Sequence, residues 1–332
     1  MLEFSNGDRF AVFRLPGRKE TVLYRSASNG PVELDAQDFH RDGYVVMPFR
    51  KEEKSYFIPA DEQYINPLWR FFPSSEQRIR TMEKIDYLKM INAGIELLSS
   101  EFPKVILSRP LLVPAPPENT NVYYRRLCEY YPDAFVFFWH TPETGTWMGA
   151  SPEPLIRELD SGRLETVALA GTRPWIKSNF TAWKEKEIEE QQLVVDYIGG
   201  ILEGAVEGLK VGKAHTVHAG SVEHIQTRFS YNRMDYLYKL VNLLHPTPAV
   251  CGLPPMEAYR TISSLEPYDR SYYTGCSGPV GKEIHLYVTL RCMQMLKKEA
   301  LIYVGGGITS ASIPEKEWDE TQWKARTLLS VL

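Results

Sequence analysis

Before residue 75, short β-branched and aromatic runs are separated by Gly, Pro and Asn. Ala11-Val12-Phe13-Arg14-Leu15, Thr21-Val22-Leu23-Tyr24-Arg25 and Tyr44-Val45-Val46-Met47-Pro48 read as strands, so residues 1–75 form a small strand-rich beginning. The pattern changes at Ser74-Ser75-Glu76-Gln77, where cap-like chemistry predicts a helix whose apolar spacing runs toward Leu98. From residue 103 strands and helices interleave. Phe135-Val136-Phe137-Phe138-Trp139 is a buried-strand pattern, and 145–150, 153–158 and 164–170 read as consecutive strands whose short links favour antiparallel pairing. A long helix is expected over about 181–208, with an apolar stripe of Val194, Ile198 and Ile201. Strands follow near 214–218 and 222–228, then helices near 232–244 and 254–264. Strands at 273–280, 285–296 and 299–305 lead to a last helix that begins at Pro314, a start signal for a first turn. This is a mixed α+β pattern without regular βαβ alternation. No linker interrupts 103–332, so one domain over 1–332 is expected, with the N-terminal strands joining its sheets.

Composition narrows the function classes. The 332 residues carry 38 basic and 42 acidic side chains, mixed along the chain. That excludes the clustered Lys/Arg footprint of a nucleic-acid binder. No apolar run reaches about 18 residues, so no membrane-spanning helix and no membrane partner is expected. The polar, acidic start Met1-Leu2-Glu3-Phe4 lacks the features of a secretion leader. Cys128, Cys251, Cys276 and Cys292 form no C-x-x-C pair, which fits a reducing, cytoplasmic setting and gives the sequon Asn179-Phe180-Thr181 no role.

Several constellations could carry chemistry. Glu317, Glu320 and Lys324 are three and four apart and share one face of the last helix; Glu187 and Glu190 share a face of the long middle helix. Four carboxylates from two helices could converge on a hard cation such as Mg²⁺. Each pair alone reads more readily as a solvated acidic first turn. Gly305-Gly306-Gly307 follows a strand and could let backbone N–H groups seat a carboxylate, or could be a sharp turn. It is neither a dinucleotide fingerprint nor a phosphate-binding loop. Gly275-Cys276-Ser277-Gly278-Pro279 lacks the final glycine of a hydrolase elbow. His215 and His218 would face opposite sides of a strand and read as structural. Arg291, inside an apolar strand pattern, should meet a carboxylate of the protein or of a substrate. Lys104, in Pro103-Lys104-Val105-Ile106-Leu107-Ser108-Arg109, would by itself read as a solvent-facing lysine at a strand edge.

Taken in order, K-V-I-L-S-R, G-A-S-P-E (149–153), A-L-A-G-T-R-P (168–174), E-x-x-E before the middle-helix stripe, L-H-P-T-P-A-V-C-G-L-P (244–254), R-x-x-Y-x-G, G-G-G-I and E-W-x-E-x-x-x-K resemble the chorismate-utilising enzyme family, the relatives of anthranilate synthase component I. The resemblance spans roughly 100–330, which it marks as the catalytic core. It implies an aminodeoxychorismate-synthase-like α+β fold: two packed antiparallel sheets flanked by helices. By that similarity Glu187, Glu190, Glu317 and Glu320 surround Mg²⁺, with Glu190 and Glu320 the direct ligands. Gly305, Gly306 and Lys324 help seat the ring carboxylate of chorismate, and Arg291 and Tyr273 hold the enolpyruvyl carboxylate. Thr172 and His224 line the pocket. Lys104 activates water for attack at C2, and Glu153 protonates the departing C4 hydroxyl.

Residue identity separates the relatives. Anthranilate synthases typically carry Gln where Lys104 stands, and aminodeoxychorismate synthases commonly carry a nucleophilic Lys where Ala170 stands. Lys104 with Ala170 therefore implies water as nucleophile and an isochorismate synthase without an obligatory glutaminase subunit. Salicylate synthases share that pair and go on to eliminate pyruvate; an ammonia-using component and a silent chorismate binder are the remaining readings. Isochorismate feeds both menaquinone and siderophore synthesis. The chemistry needs a lysine, ordinarily titrating near ~10.4, brought down by burial or nearby cations, and a glutamate pushed up to keep its proton. Gln191 stands where the family usually has His, and Trp175-Ile176 follows Arg173-Pro174 where a second basic residue is common. The region before Lys104 is shorter than in many relatives.

Overall fold

The computed structural model describes residues 1–76, 80–116, 120–175, 182–219 and 222–332. Two large antiparallel sheets lie face to face. The first runs, edge to edge, Gly252–Leu253, Lys104–Pro114, Glu299–Ile308, Cys292–Met295, Gly145–Ser151, Phe135–Thr141, Phe10–Arg14, Val22–Arg25 and Glu62–Ile65. The second runs Lys210–Val211, Val222–Tyr231, Leu164–Pro174, Pro154–Glu158, His285–Val288, Cys276–Val280, Gly43–Met47 and Tyr56–Pro59, with His215–Ala219 also paired to Val222–Tyr231. The N-terminal strands thus divide between both sheets.

Helices α1 (Lys84–Leu97), α2 (Thr120–Tyr130), α3 (Glu185–Ala205), α4 (Leu237–Leu244), α5 (Pro255–Leu265) and α6 (Pro314–Leu329) cover the outer faces. None is long and apolar enough to cross a membrane among the described residues.

Strand alternation explains the layering. Phe135, Phe137 and Trp139 point between the sheets, while Val136 and Phe138 point outward beneath α2. With both faces covered, the segment loses its polar positions and reads as an unbroken apolar run. The inter-sheet layer is aromatic: Phe135 stacks on Tyr287 of the opposite sheet at 4.4 Å between centroids. From there rings lead through Phe137, Trp139, Trp147 and Tyr303 to Tyr273, each step between 5.2 and 6.0 Å. Each such fully buried ring contributes about 1.5–3 kcal/mol.

Four expectations change. The Ser74 start is not a helix cap: Ser74 N donates to Asn6 Oδ1 and Ser75 O accepts from Lys297 N, so tertiary partners take the groups a helix would use. Helix α1 begins at Lys84, and Gln77 lies outside the described residues. Next, 145–151 and 154–158 do not pair with each other; the chain crosses from the first sheet to the second through Pro152-Glu153 alone. Finally, 285–296 is two strands. The chain leaves the second sheet after Val288 and enters the first at Cys292, and Arg291 sits in the break with φ of 47° rather than inside a strand. The middle helix is also shorter than expected at both ends, and residues 176–181, with the sequon, lie outside the described residues.

The two crossovers are stitched together. Ser151 Oγ donates to Val288 O, Val288 N donates to Glu153 O, and Ala150 N donates to Arg291 O. Gly149 makes room for this: a Cβ there would lie 2.6 Å from Arg291 O and 2.7 Å from the Phe137 ring.

Candidate active site

Beside the crossovers a cavity of about 230 Å³ opens between the sheets, closed by α3 and α6. It is lined by Lys104, Glu153, Glu187, Glu190, His224, Tyr273, Arg291, Gly305, Gly306, Glu317, Glu320 and Lys324. Of the expected residues only Thr172 is not assigned to the lining. Its backbone pairs with His224, and its side chain lies outside the described residues. His215 is exposed and apart from the cavity, and the side chain of His218 is likewise outside the described residues.

Lys104 opens the Lys104–Pro114 strand, but the short Gly252–Leu253 strand pairs outside it and buries it to 5 % exposure. The solvent-facing reading of this residue is thereby corrected. Its Nζ donates to Glu190 Oε1 at 2.5 Å. Gly307 gives its stem passage, since a Cβ there would stand 3.1 Å from Lys104 Cε. Glu153 enters from the crossover, its N–H held by Ser151 Oγ. Burial pushes its carboxyl up to about 7, against the opposing charges of Lys104 and Arg291.

Arg291 is partly buried, and desolvation lowers its guanidinium against the pull of Tyr273, Glu320 and Glu153. Among the described residues no carboxylate pairs with it directly, so a partly buried cation faces the cavity ready for an anion. Burial depresses His224 to about 4, helped by Arg291 and Lys324. Its Nδ1 lies 3.3 Å from Gly171 O, which can only accept, so the neutral ring donates there and Nε2 is the acceptor. Gly171 sits at a bulge with φ of 66°, and α3 approaches so closely that a Cβ would stand 3.1 Å from Glu187 O.

The acidic residues arrive one helical turn apart on α3 and α6. Gly306 lies under the α6 pair: a Cβ there would be 3.3 Å from Glu320 Oε1 and 3.4 Å from Glu317 Oε2. Burial alone would raise Glu320, yet Lys324 and Arg291 hold it below the usual carboxylate range. Lys324 Nζ reaches both Glu320 Oε1 at 2.6 Å and Gly305 O at 2.8 Å, tying helix to glycine strand.

Does this donor set suit a divalent cation? Among the described residues no three His, Cys, Asp or Glu side chains already form a cage. Mg²⁺ needs none, because it keeps waters and takes one or two carboxylates plus substrate oxygens. Glu187 Oε2 is buried with no hydrogen-bond partner, and Thr309 Oγ1, also on the lining, is in the same state. All-oxygen donors with a buried orphan carboxylate oxygen fit a hard cation.

Sequence reasoning missed Thr309, Ser312, Ala249, Val250 and Thr274, all on the lining. The signal for the first two was Ser/Thr chemistry just after the glycine run, where Ser312 Oγ accepts from Thr309 N. Gln191 is not on the lining. It is buried under α3, donating to Ala168 O at 3.0 Å.

Several known proteins resemble this chain. The isochorismate synthase DhbC of Bacillus subtilis is 28% identical over 319 residues, covering 86% of this chain and 79% of that protein. The isochorismate synthase MenF of Pasteurella multocida is 29% identical over 321 residues, covering 90% and 71%. The solved structure of the menaquinone-specific isochorismate synthase MenF of Escherichia coli superposes with a TM-score of 0.83 at 20% identity over 98% of this chain and 88% of that one. Anthranilate synthase component I of Streptococcus pneumoniae superposes at 0.72 with 16% identity, covering 96% and 89%. These last two show the shared fold. Residues 65–332 match the family described as chorismate binding enzyme, and the chain belongs to the chorismate binding enzymes.

Proposed function

We propose that this enzyme is a Mg²⁺-dependent isochorismate synthase acting in the cytoplasm, which converts chorismate reversibly to isochorismate. The observation that carries the reading is the pair Lys104 and Glu153: both buried, one on a strand of the first sheet and one on the crossover, facing one cavity beside Ala170. Lys104 is the base in this reading, taking a proton from the water that attacks C2. Glu153 gives its proton to the C4 hydroxyl, which leaves as water; a carboxyl pushed up to about 7 keeps that proton in a large share of molecules at neutral pH. The unpaired guanidinium of Arg291, with Tyr273, suits the enolpyruvyl carboxylate, and Lys324 with the Gly306 backbone suits the ring carboxylate. Glu187, Glu190, Glu317 and Glu320 would hold Mg²⁺, which when bound neutralises and orients the ring carboxylate. Ala170 lines the cavity with a methyl group where a covalent nucleophile would otherwise stand.

Product analysis tests this. Chorismate and Mg²⁺ incubated with the purified protein should yield an equilibrium mixture with isochorismate, resolved by chromatography and proton NMR, and none without metal. Salicylate with pyruvate would move the activity to a salicylate synthase. Unchanged chorismate, with turnover appearing only on adding ammonia, would replace water by ammonia as nucleophile.

A further inference from the structure

Behind the cavity wall lies a buried ion pair that the proposed chemistry does not use. Glu266, at the C-terminal end of α5, and Arg270 are four residues apart, with side chains 2% and 1% exposed. Their contact is bidentate: Arg270 Nε donates to Glu266 Oε2 at 2.8 Å and Nη2 to Oε1 at 2.6 Å. The remaining donors fan outward. Nη2 reaches Ile106 O at 2.7 Å, and Nη1 reaches Val250 O at 2.9 Å and Thr274 Oγ1 at 3.3 Å. Glu266 Oε1 in turn accepts from both Ser108 N and Ser108 Oγ at 2.8 Å. The guanidinium also lies 5.9 Å from the centroid of the Tyr273 ring.

The segments joined here are the ones that build the cavity wall. Ile106 shares the strand of Lys104, Val250 belongs to the 244–254 turn, and Thr274 follows Tyr273; all five line the cavity. Burying two charges is costly, and a well-packed apolar pair of equal volume would often stabilise a fold as well or better. What an apolar pair cannot do is fix three backbone segments at hydrogen-bond distance from one rigid planar group. A lysine cannot either, since its ammonium is a single point on a flexible stem.

We infer that Arg270, oriented by Glu266, is a positioning residue for catalysis: it sets the spacing of the Lys104 strand, the Val250 turn and Tyr273 around the substrate. The inference rests on the isochorismate synthase reading. It is tested with Arg270→Lys and the milder Ser108→Ala, each compared with wild type for thermal midpoint, kcat, and chorismate affinity by calorimetry in a Lys104→Ala background. Misplacement of reacting groups by about 1 Å lowers rates by about 100-fold. Folded Arg270→Lys should therefore lose kcat by about that factor, with chorismate Kd changed less than about fivefold, a split that general loosening would not produce. Full kcat in folded Arg270→Lys would overturn the role while leaving the proposed activity intact. If Arg270→Lys does not fold, Ser108→Ala decides. A kcat several-fold lower at an unchanged midpoint supports the role, and wild-type kcat overturns it. Absence of turnover in the wild type itself would overturn the activity and the role together.

Discussion

A carboxyl buried as deeply as that of Glu153 keeps its proton up to about pH 7, whereas in the unfolded chain it would lose it near 4.5. The folded state therefore gives up stability as pH rises through that window. Glu153→Gln cannot ionise and escapes the loss. It should be inactive, yet more stable than wild type above pH 7 by about 3 kcal/mol, with no difference at pH 4. Denaturant titrations at the two pH values measure this, and equal stability at pH 8 would show that the carboxyl is not held in its neutral form. The same group predicts that wild-type kcat/KM declines as pH rises past about 7. Lys104→Ala should abolish turnover while chorismate still binds. Gln191 carries a different expectation, because its side chain staples α3 to Ala168 O instead of facing substrate. Gln191→His can keep an N–H there and should retain turnover. Gln191→Leu leaves a buried carbonyl unpaired and should cost about 1–3 kcal/mol in denaturant melts, with kcat little changed in the folded fraction.

At the scale of elements, the glycines state what must come close. A methyl at position 306 would press on Glu317 and Glu320 from 3.3–3.4 Å, a distance side chains can relieve by turning away. Gly306→Ala should therefore fold normally but bind Mg²⁺ about tenfold more weakly, read as a shift in the metal dependence of turnover. Gly149→Ala meets backbone at 2.6 Å and cannot be relieved so easily. It should destabilise by about 1–3 kcal/mol and disturb Arg291. Much of this was legible in the chain. The carboxylate pairs at i,i+3, the glycine run and the Lys104 and Glu153 motifs all resolved onto one cavity, because side-chain identity in an ordered set of motifs survives whatever the loops do. The crossovers were not legible. Residues 285–296 are apolar throughout, and nothing local marks Thr289–Arg291 as the place where the chain changes sheets. Gly149, across the sheet, leaves the room that the break occupies. The false helix start at Ser74 has the same origin, since Asn6 and Lys297 are distant in sequence and take the capping groups.

For the whole molecule, ligand binding should be visible as stability. Carboxylates from α3 and α6 and the guanidinium of Arg291 face one space, so anion and cation each relieve charge that the other leaves. With Mg²⁺ saturating, chorismate at about 100 times its Kd should add about 2.7 kcal/mol to the stability of the metal-loaded fold, and chelation of the metal should remove most of that shift. A thermal scan with each ligand alone and both together tests the coupling; strictly additive shifts would argue that the two do not share a site.

The short crossovers also decide how a substrate can enter. Packed sheets stand about 10 Å apart, and the three steps from Ser151 to Pro154 span at most about 10–11 Å when fully extended. The Tyr56–Pro59 strand of one sheet likewise reaches the Glu62–Ile65 strand of the other through two residues. The sandwich is tethered near its full reach at more than one point, so it cannot gape like a jaw. Admission and release must therefore take place with the two halves of the frame at fixed separation.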